Sequence, residues 1–568
     1  DWHTEEADTS TGLRLRLGDP LHDNALVRPV LDMFPAYVDH AELQDGFGAI
    51  GLVGLPVTAA PAGLPAVTSE DGPVRVVRVS DAADLPFRVD YVEYSEGGEV
   101  VRRLVELDPV VPLREGDRIL VLVHRGLAAS DGAPFSVSPL AEAVLGLRDP
   151  FGPPAWRDEI VRVRARTLEA LAALPDAPAP EDLLLALHYT VGTSLGEIVA
   201  AAEQVQEMEI EVDLDPDGDG APNVTPGPEH PSFQGHPQVG LVIEGRFFAP
   251  DFRNGDGILD ADVAGRVSVH DHEWRDFWIT VPAAPEGGPW PFAITQHGLN
   301  SWKETQYGWA RDFASLGIAS GCFDFMYHGK GKNGGFFFLA LDVPRVLADN
   351  FRQSALDILA FERAAGVVAA ELGLDLALDR LAYTGHSLGA IISSIACPLS
   401  RTGRVGGFVN GGGDFLHLIQ VAFENMGLYD ALPGDMWSAF RLLAGNLTSL
   451  SDPTLFARHL VQEPLGDRGP CPFQLQVSLE DATVPPRTGY ELAVAAGAPL
   501  IEPVLEPWDW LTPVPPDGQT WGVLQFDGGH ELFNGGDGAA QEARARGVMF
   551  HYLESFLHGG SPEIVWPE

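Results

Sequence analysis

The sequence predicts an α/β chain: a mostly parallel, doubly wound sheet over residues 237–568, preceded by a β-rich region and a helical segment. Three observations predict it. From about residue 237, strand-like runs alternate with helix-like ones. The stretch Gly385-His386-Ser387-Leu388-Gly389 joins a short buried strand to an apolar helix through one sharp turn. An acid, Asp481, and a histidine, His530, then stand at the ends of two later strand-like runs.

Composition bounds the rest. A chain of 568 residues has room for two or three domains and a large core. No apolar run approaches the ~18 residues that would span a bilayer. With 81 acidic against 36 basic residues the net charge is −45, which repels polynucleotides and excludes nucleic acid as a partner. Cys322, Cys397 and Cys471 are too widely spaced for a disulfide scaffold or a cysteine zinc site; one disulfide or free buried thiols both fit. The chain begins at Asp1 without an n-region or apolar h-region, so a targeting segment is expected to have been removed or left out.

In chain order, residues 1–150 read as a β-rich domain. Val74–Val79, Phe87–Val92, Val100–Leu107 and Arg118–His124 alternate as strands do, with turn residues between them, which argues a small antiparallel sandwich. The run Pro112–Val121, followed by Ala129–Pro134, resembles the end of bacterial Ig-like repeats. Residues 151–236 read as a helical segment and an acidic linker. Within them Gly192-Thr193-Ser194-Leu195-Gly196 imitates the later glycine–serine turn, but no His-Gly segment precedes it, so Ser194 reads as a structural serine near a helix start. Asp213, Asp215, Asp217 and Asp219 alternate with turn residues, as a loop does when wrapping oxygen ligands around Ca²⁺, although a plain acidic, Pro/Gly-rich linker is the favoured reading. Asn254–Asp260 is a weaker echo of that pattern.

In 237–568 the parts of a nucleophilic site come in order. A strand ends in His297-Gly298-Leu299; the glycine-flanked Ser387 follows; Asp481, with Glu480 as fallback, and His530 come later. Gly385 and Gly389 allow tight packing around a strained serine. Leu299 and Leu388 are the expected backbone N–H donors to a developing oxyanion, with His297, Gly298 and His386 shaping the turns around them. Phe415–Phe423, Met436–Leu443 and Leu455–Leu460, within an insertion at about 414–470, read either as an apolar cap or as helices packed on the sheet. All three lysines, Lys303, Lys330 and Lys332, fall near these turns, either as a basic rim for an anionic head group or by chance.

On Pro289–Gly298, Asp324 with His328-Gly329, and Gly385–Gly389, residues 237–568 resemble an α/β-hydrolase of the bacterial extracellular esterase and lipase type. The whole chain is similar to secreted or surface lipases and lysophospholipases with a long β-rich N-terminal region. The resemblance implies carboxylic ester hydrolysis through Ser387, Asp481 and His530, no cofactor required for catalysis, a small-molecule or lipid ester substrate, and export. A phospholipase or polyester hydrolase with the same triad, and a surface binding protein around a relic hydrolase, are the competing expectations.

Overall fold

The structure, a computed structural model, describes residues 3–5, 9–17, 28–259, 261, 266–283, 287–340, 343–425, 427, 433–533 and 538–567. Asp260, part of the weaker acidic echo, lies outside them. The chain divides into two compact units, residues 1–194 with 342–345 and 423–450, and the remainder.

The second unit is built on one twelve-stranded sheet. Its eight main strands are β1 (Val239–Asp251), β2 (Asp271–Pro282), β3 (Trp290–Gln296), β4 (Ala319–Phe323), β5 (Leu376–His386), β6 (Gly403–Val409), β7 (Phe473–Ser478) and β8 (Gly522–Phe526). They lie side by side in the order β1-β2-β4-β3-β5-β6-β7-β8. β1, β2 and β4 pair antiparallel, and every later pairing is parallel. This is the mostly parallel, doubly wound sheet the alternating pattern predicts.

Helices cover both faces because the central strands are apolar on both sides. On one face Trp309 and Phe313 of helix Tyr307–Ser315 pack with Val548, Met549 and Leu553 of helix Ala539–Leu557, over Ala293, Ala382 and Val405. On the other, Phe361 of the 29-residue helix Pro344–Leu372 meets Phe247, Phe277, Phe292 and Phe323. Parallel pairing places the carboxyl ends of β3, β5, β6, β7 and β8 along one edge. The register runs Gln296↔Gly385, His386↔Val409, Val409↔Gln476 and Ser478↔Phe526. Turns leaving these strands therefore emerge side by side, where ligands bind in open α/β sheets.

In the first unit the expected strands form two antiparallel sheets, one of Val53–Pro56, Phe87–Glu96 and Glu99–Pro109, the other of Val74–Arg78, Ala83–Asp84, Arg118–His124 and Leu183–Thr190. The boundary expected at residue 150 gives way to one at 194. Leu183–Thr190 pairs along the whole of Arg118–His124. Helix Pro154–Ala172 buries Ala170 and Leu171 on Val77, Leu120 and Leu122 of the same sheet. That face is closed by a helix, so the region is mixed α and β instead of a β domain followed by a helical linker.

The insertion at 414–470 also departs from a single apolar cap. Helix Gly434–Thr448 belongs to the first unit, where Phe440 meets Tyr37 and Arg441 bonds Glu106 at 2.7 Å and the Tyr94 hydroxyl at 2.9 Å. Helix Pro453–Val461 stays with the second unit and is buried on helices Leu388–Ala396 and Pro486–Ala496. The apolar stripes that suggested a lid are spent on these packings.

Cys397 and Cys471 are joined by a disulfide, and Cys322 is a buried free thiol. The bond spans 74 residues of sequence and ties the end of helix Leu388–Ala396 to the start of β7. Restricting the unfolded chain over such a loop is worth about 4 kcal/mol. Replacing both cysteines by serine should lower stability in chemical denaturation by an amount of that order; an unchanged midpoint would show that the link adds nothing.

Candidate active site

The turn after β5 places Ser387 at φ 56° and ψ −122°, a backbone conformation few non-glycine residues adopt. It is held by a hydrogen bond from Ser387 N–H to Val409 O at 2.9 Å and from Ile391 N–H to Ser387 O at 3.0 Å. Both flanking glycines are sterically required. A Cβ on Gly385 would lie 2.6 Å from Gly389 C and 2.8 Å from Gln296 O, and one on Gly389 would overlap the Gln296 carbonyl. The strand-to-helix turn is thus pressed onto the end of β3.

The loop after β3 touches the serine. A methyl group at Gly298 would meet Ser387 Cβ at 3.5 Å. The loop is fixed by His297, whose ring is buried, donates from Nδ1 to Gly298 O at 2.8 Å and accepts Phe325 N–H on Nε2 at 3.2 Å. Burial pushes this imidazole down to about 3, so it stays neutral and serves as a backbone brace. Among the described residues the Leu299 N–H makes no backbone hydrogen bond. Leu388, first in its helix, has an N–H that lacks an intrahelical acceptor. Leu388 directly follows Ser387, and Leu299 directly follows Gly298, the residue that lies against it.

The acid and the histidine meet. His530 Nδ1 donates to Asp481 Oδ2 at 2.7 Å, leaving the lone pair of the neutral ring on Nε2. Asp481 is 4 % exposed, and its other oxygen accepts Thr483 N–H at 2.8 Å and Val484 N–H at 2.9 Å, so the carboxylate cannot rotate freely. Glu480, the fallback, is exposed. The His386 ring lies 4.8 Å from the His530 ring, between centroids, and its Nε2–H donates to His530 O at 2.6 Å. Burial pushes the His386 imidazole down to about 4, which keeps it neutral beside His530.

One residue escaped the sequence reading. Asn410, directly after β6 and at φ 47°, donates from Nδ2 to His530 O at 3.0 Å and to Gly529 O at 3.3 Å. Its own Oδ1 accepts Ser478 Oγ–H at 2.9 Å. The signal was an asparagine between a strand and Gly411-Gly412-Gly413, since Asn tolerates the left-handed region.

Other expected positions lie elsewhere. Ser194 donates its hydroxyl to Glu115 at 3.2 Å in the first unit, a structural role. Lys303 is engaged by Glu304 at 3.0 Å and Asp324 at 3.7 Å, so it is no part of an open basic rim. Asp215, Asp217 and Asp219 bring carboxylate oxygens within 4.8 Å of one another. Asp213 does not join them, because it pairs with Arg246 at 2.7 Å. Both oxygens of Asp215 accept loop amides, from Asp219 and Gly220, each at 2.9 Å. The four-carboxylate set thus reduces to three, one of them already closing its own turn.

The fold and the site define a chain that carries a strained serine and an acid–histidine pair on the carboxyl edge of a mostly parallel sheet. No protein-family model and no curated protein matches it. Among solved structures, an acetyl xylan esterase from Paenibacillus sp. R4 is similar over 60% of this chain and 90% of its own, at 16% identity and a TM-score of 0.36. Pyrococcus horikoshii acylaminoacyl peptidase covers 52% of this chain and 41% of its own, at 17% identity and a TM-score of 0.35. A Mycobacterium tuberculosis puromycin-hydrolyzing peptidase covers 56% and 47%, at 17% identity and a TM-score of 0.32.

The depressed His297 gives a signed pH effect. Above the unfolded value of about 6.5 both states are neutral and its bracing is fully present. As pH falls from there toward about 3, the unfolded state gains a proton that the folded state refuses. Wild type then loses up to about 1.4 kcal/mol per pH unit through this group. The stability cost of His297→Gln, measured by denaturant titration, should therefore shrink between pH 7 and pH 4; a constant cost would show that the ring is not buried neutral.

Proposed function

We propose that the protein is a serine hydrolase of the α/β-hydrolase type that cleaves carboxylic esters through an acyl-enzyme on Ser387. The observation that carries this is the Asp481–His530 hydrogen bond, formed on the same sheet edge as a serine in a strained strand-to-helix turn. His530 Nε2 takes the Ser387 proton as Oγ attacks the ester carbonyl. Asp481 holds the ring in the tautomer this needs and stabilises the imidazolium. Negative charge developing on the carbonyl oxygen is met by the N–H groups of Leu299 and Leu388, which need no reorganisation because their turns are already braced. His530 then returns the proton to the leaving alcohol, and water repeats the sequence in reverse on the acyl-enzyme.

His386 and Asn410 act through His530. By grasping its carbonyl they restrict the turn on which the base is carried, and small displacements of a catalytic group are costly. Export is part of the proposal, and the Cys397–Cys471 disulfide supports it, since such bonds persist in oxidising compartments. No helix among the described residues is long and apolar enough to cross a membrane.

A fluorophosphonate probe should label the protein at Ser387, and Ser387→Ala should abolish labelling; labelling that survives the substitution would place the nucleophile elsewhere. On a p-nitrophenyl ester, Asp481→Asn should lower kcat by roughly 10³–10⁴ with the fold intact. Asn410→Ala should lower kcat about ten- to a hundredfold with little change in KM, the pattern of a misplaced base. A rise in KM alone would assign Asn410 to substrate binding.

A further inference from the structure

Phe336 and Phe337 are 73 % and 68 % exposed, the two most exposed large hydrophobic side chains among the described residues. They stand on the short helix Gly335–Leu339, which is anchored from beneath. Phe338 is fully buried, 5.4 Å from the His328 ring and 5.0 Å from Phe351, and its carbonyl accepts Asn350 Nδ2–H at 2.8 Å. The first residue of the helix donates Gly335 N–H to Asn300 Oδ1 at 2.9 Å. Asn300 follows Leu299, so the exposed pair is tethered to the loop that lies against Ser387. Two phenyl rings held out in water on a braced platform call for a partner.

The chemistry around them selects that partner. Lys330 and Lys332, two of only three lysines in the chain, are exposed a few residues before the rings. Lys332 and Phe337 also line a groove of about 540 Å³ with Trp274 and the half-exposed Tyr327. Aromatic rings flanked by ammonium groups match a phospholipid–water interface, with rings at the acyl boundary and lysines at the phosphates. A second copy of the chain is disfavoured, because each carries a net charge of −45. A sugar chain is also disfavoured: the two rings stand at 84° to one another and present no flat stacking platform. The same net charge disfavours strongly anionic membranes, which leaves a zwitterionic, phosphate-bearing surface.

We propose that Phe336 and Phe337, with Lys330 and Lys332, form a docking tip that seats the protein on a zwitterionic phospholipid–water interface beside the Ser387 site. The purpose of docking, access to lipid esters, rests on the esterase reading; the docking itself does not.

The test is co-sedimentation of the full chain with phosphatidylcholine vesicles, alongside hydrolysis of a short, water-soluble ester. Wild type and Ser387→Ala should bind alike. Phe336→Ser with Phe337→Ser should weaken partitioning roughly a hundredfold, as expected for two phenyl groups, and leave soluble-ester turnover and thermal unfolding unchanged. Lys330→Gln with Lys332→Gln should weaken it several-fold, through lost contacts to the lipid phosphates. Absence of vesicle binding by wild type, or binding indifferent to the phenylalanine pair, would overturn the proposal. So would a wild-type dimer in gel filtration, or retention on insoluble polysaccharide, that the phenylalanine substitutions abolish. Vesicle binding without fluorophosphonate labelling would retain the docking tip and remove the esterase reading.

Discussion

The close approach of two backbones, the turn at Gly385–Gly389 and the end of β3 at Gln296, is the constraint on which the site depends. Nothing larger than hydrogen fits at either glycine. Because the approach is so tight, the loop leaving β3 is delivered directly against Ser387. The uncommon dihedral angles at Ser387 cost of order 1–3 kcal/mol and persist only where surrounding structure over-determines them. Here the over-determination is visible. The N–H of Ser387 is bonded across to β6, its carbonyl caps the following helix, and the sheet register on both sides is continuous.

Around that point the site is organised by neutral, buried polar groups. His297 and His386 both have burial-depressed pKa values and both are used as hydrogen-bonding braces, one for the loop after β3 and one for the turn carrying His530. A protonated ring at His386 would put a buried charge beside the acid–base pair. Asn410 completes the bracing from a third strand end, so the His530 carbonyl is gripped from β5 and from β6. The acid is prepared in the same way, with one carboxylate oxygen given to backbone amides and the other to the imidazole.

Two regions show how a pattern can be real and its destination misjudged. The amphipathic stripes at 414–470 are present as helices, but Phe440 and Arg441 find partners in the N-terminal unit while Leu455 and Phe456 are buried in the other. Periodicity says that a helix has an apolar face; it does not say which surface will cover it. The alternating aspartates behave similarly. Asp213 fits the spacing of its neighbours, yet Arg246, 33 residues later in sequence, claims its carboxylate.

Much of the site was legible in the chain because its chemistry is written locally. Glycines bracket a serine at a strand end, a His-Gly turn ends an earlier strand, and an acid and a histidine end later ones. Strand–helix alternation likewise determined the doubly wound sheet, since apolar period and turn residues are properties of short segments. The imitation at Ser194 has the same local signature, and it took Glu115, 79 residues away, to show its hydroxyl committed elsewhere. The sequence by itself thus determined the elements and the order of the reactive groups. Only the tertiary structure decided which acid meets His530, that Asn410 grips its carbonyl, that Cys397 joins Cys471, and where each unit ends. Those outcomes depend on strands far apart in sequence lying in register, and no local pattern encodes such a distance.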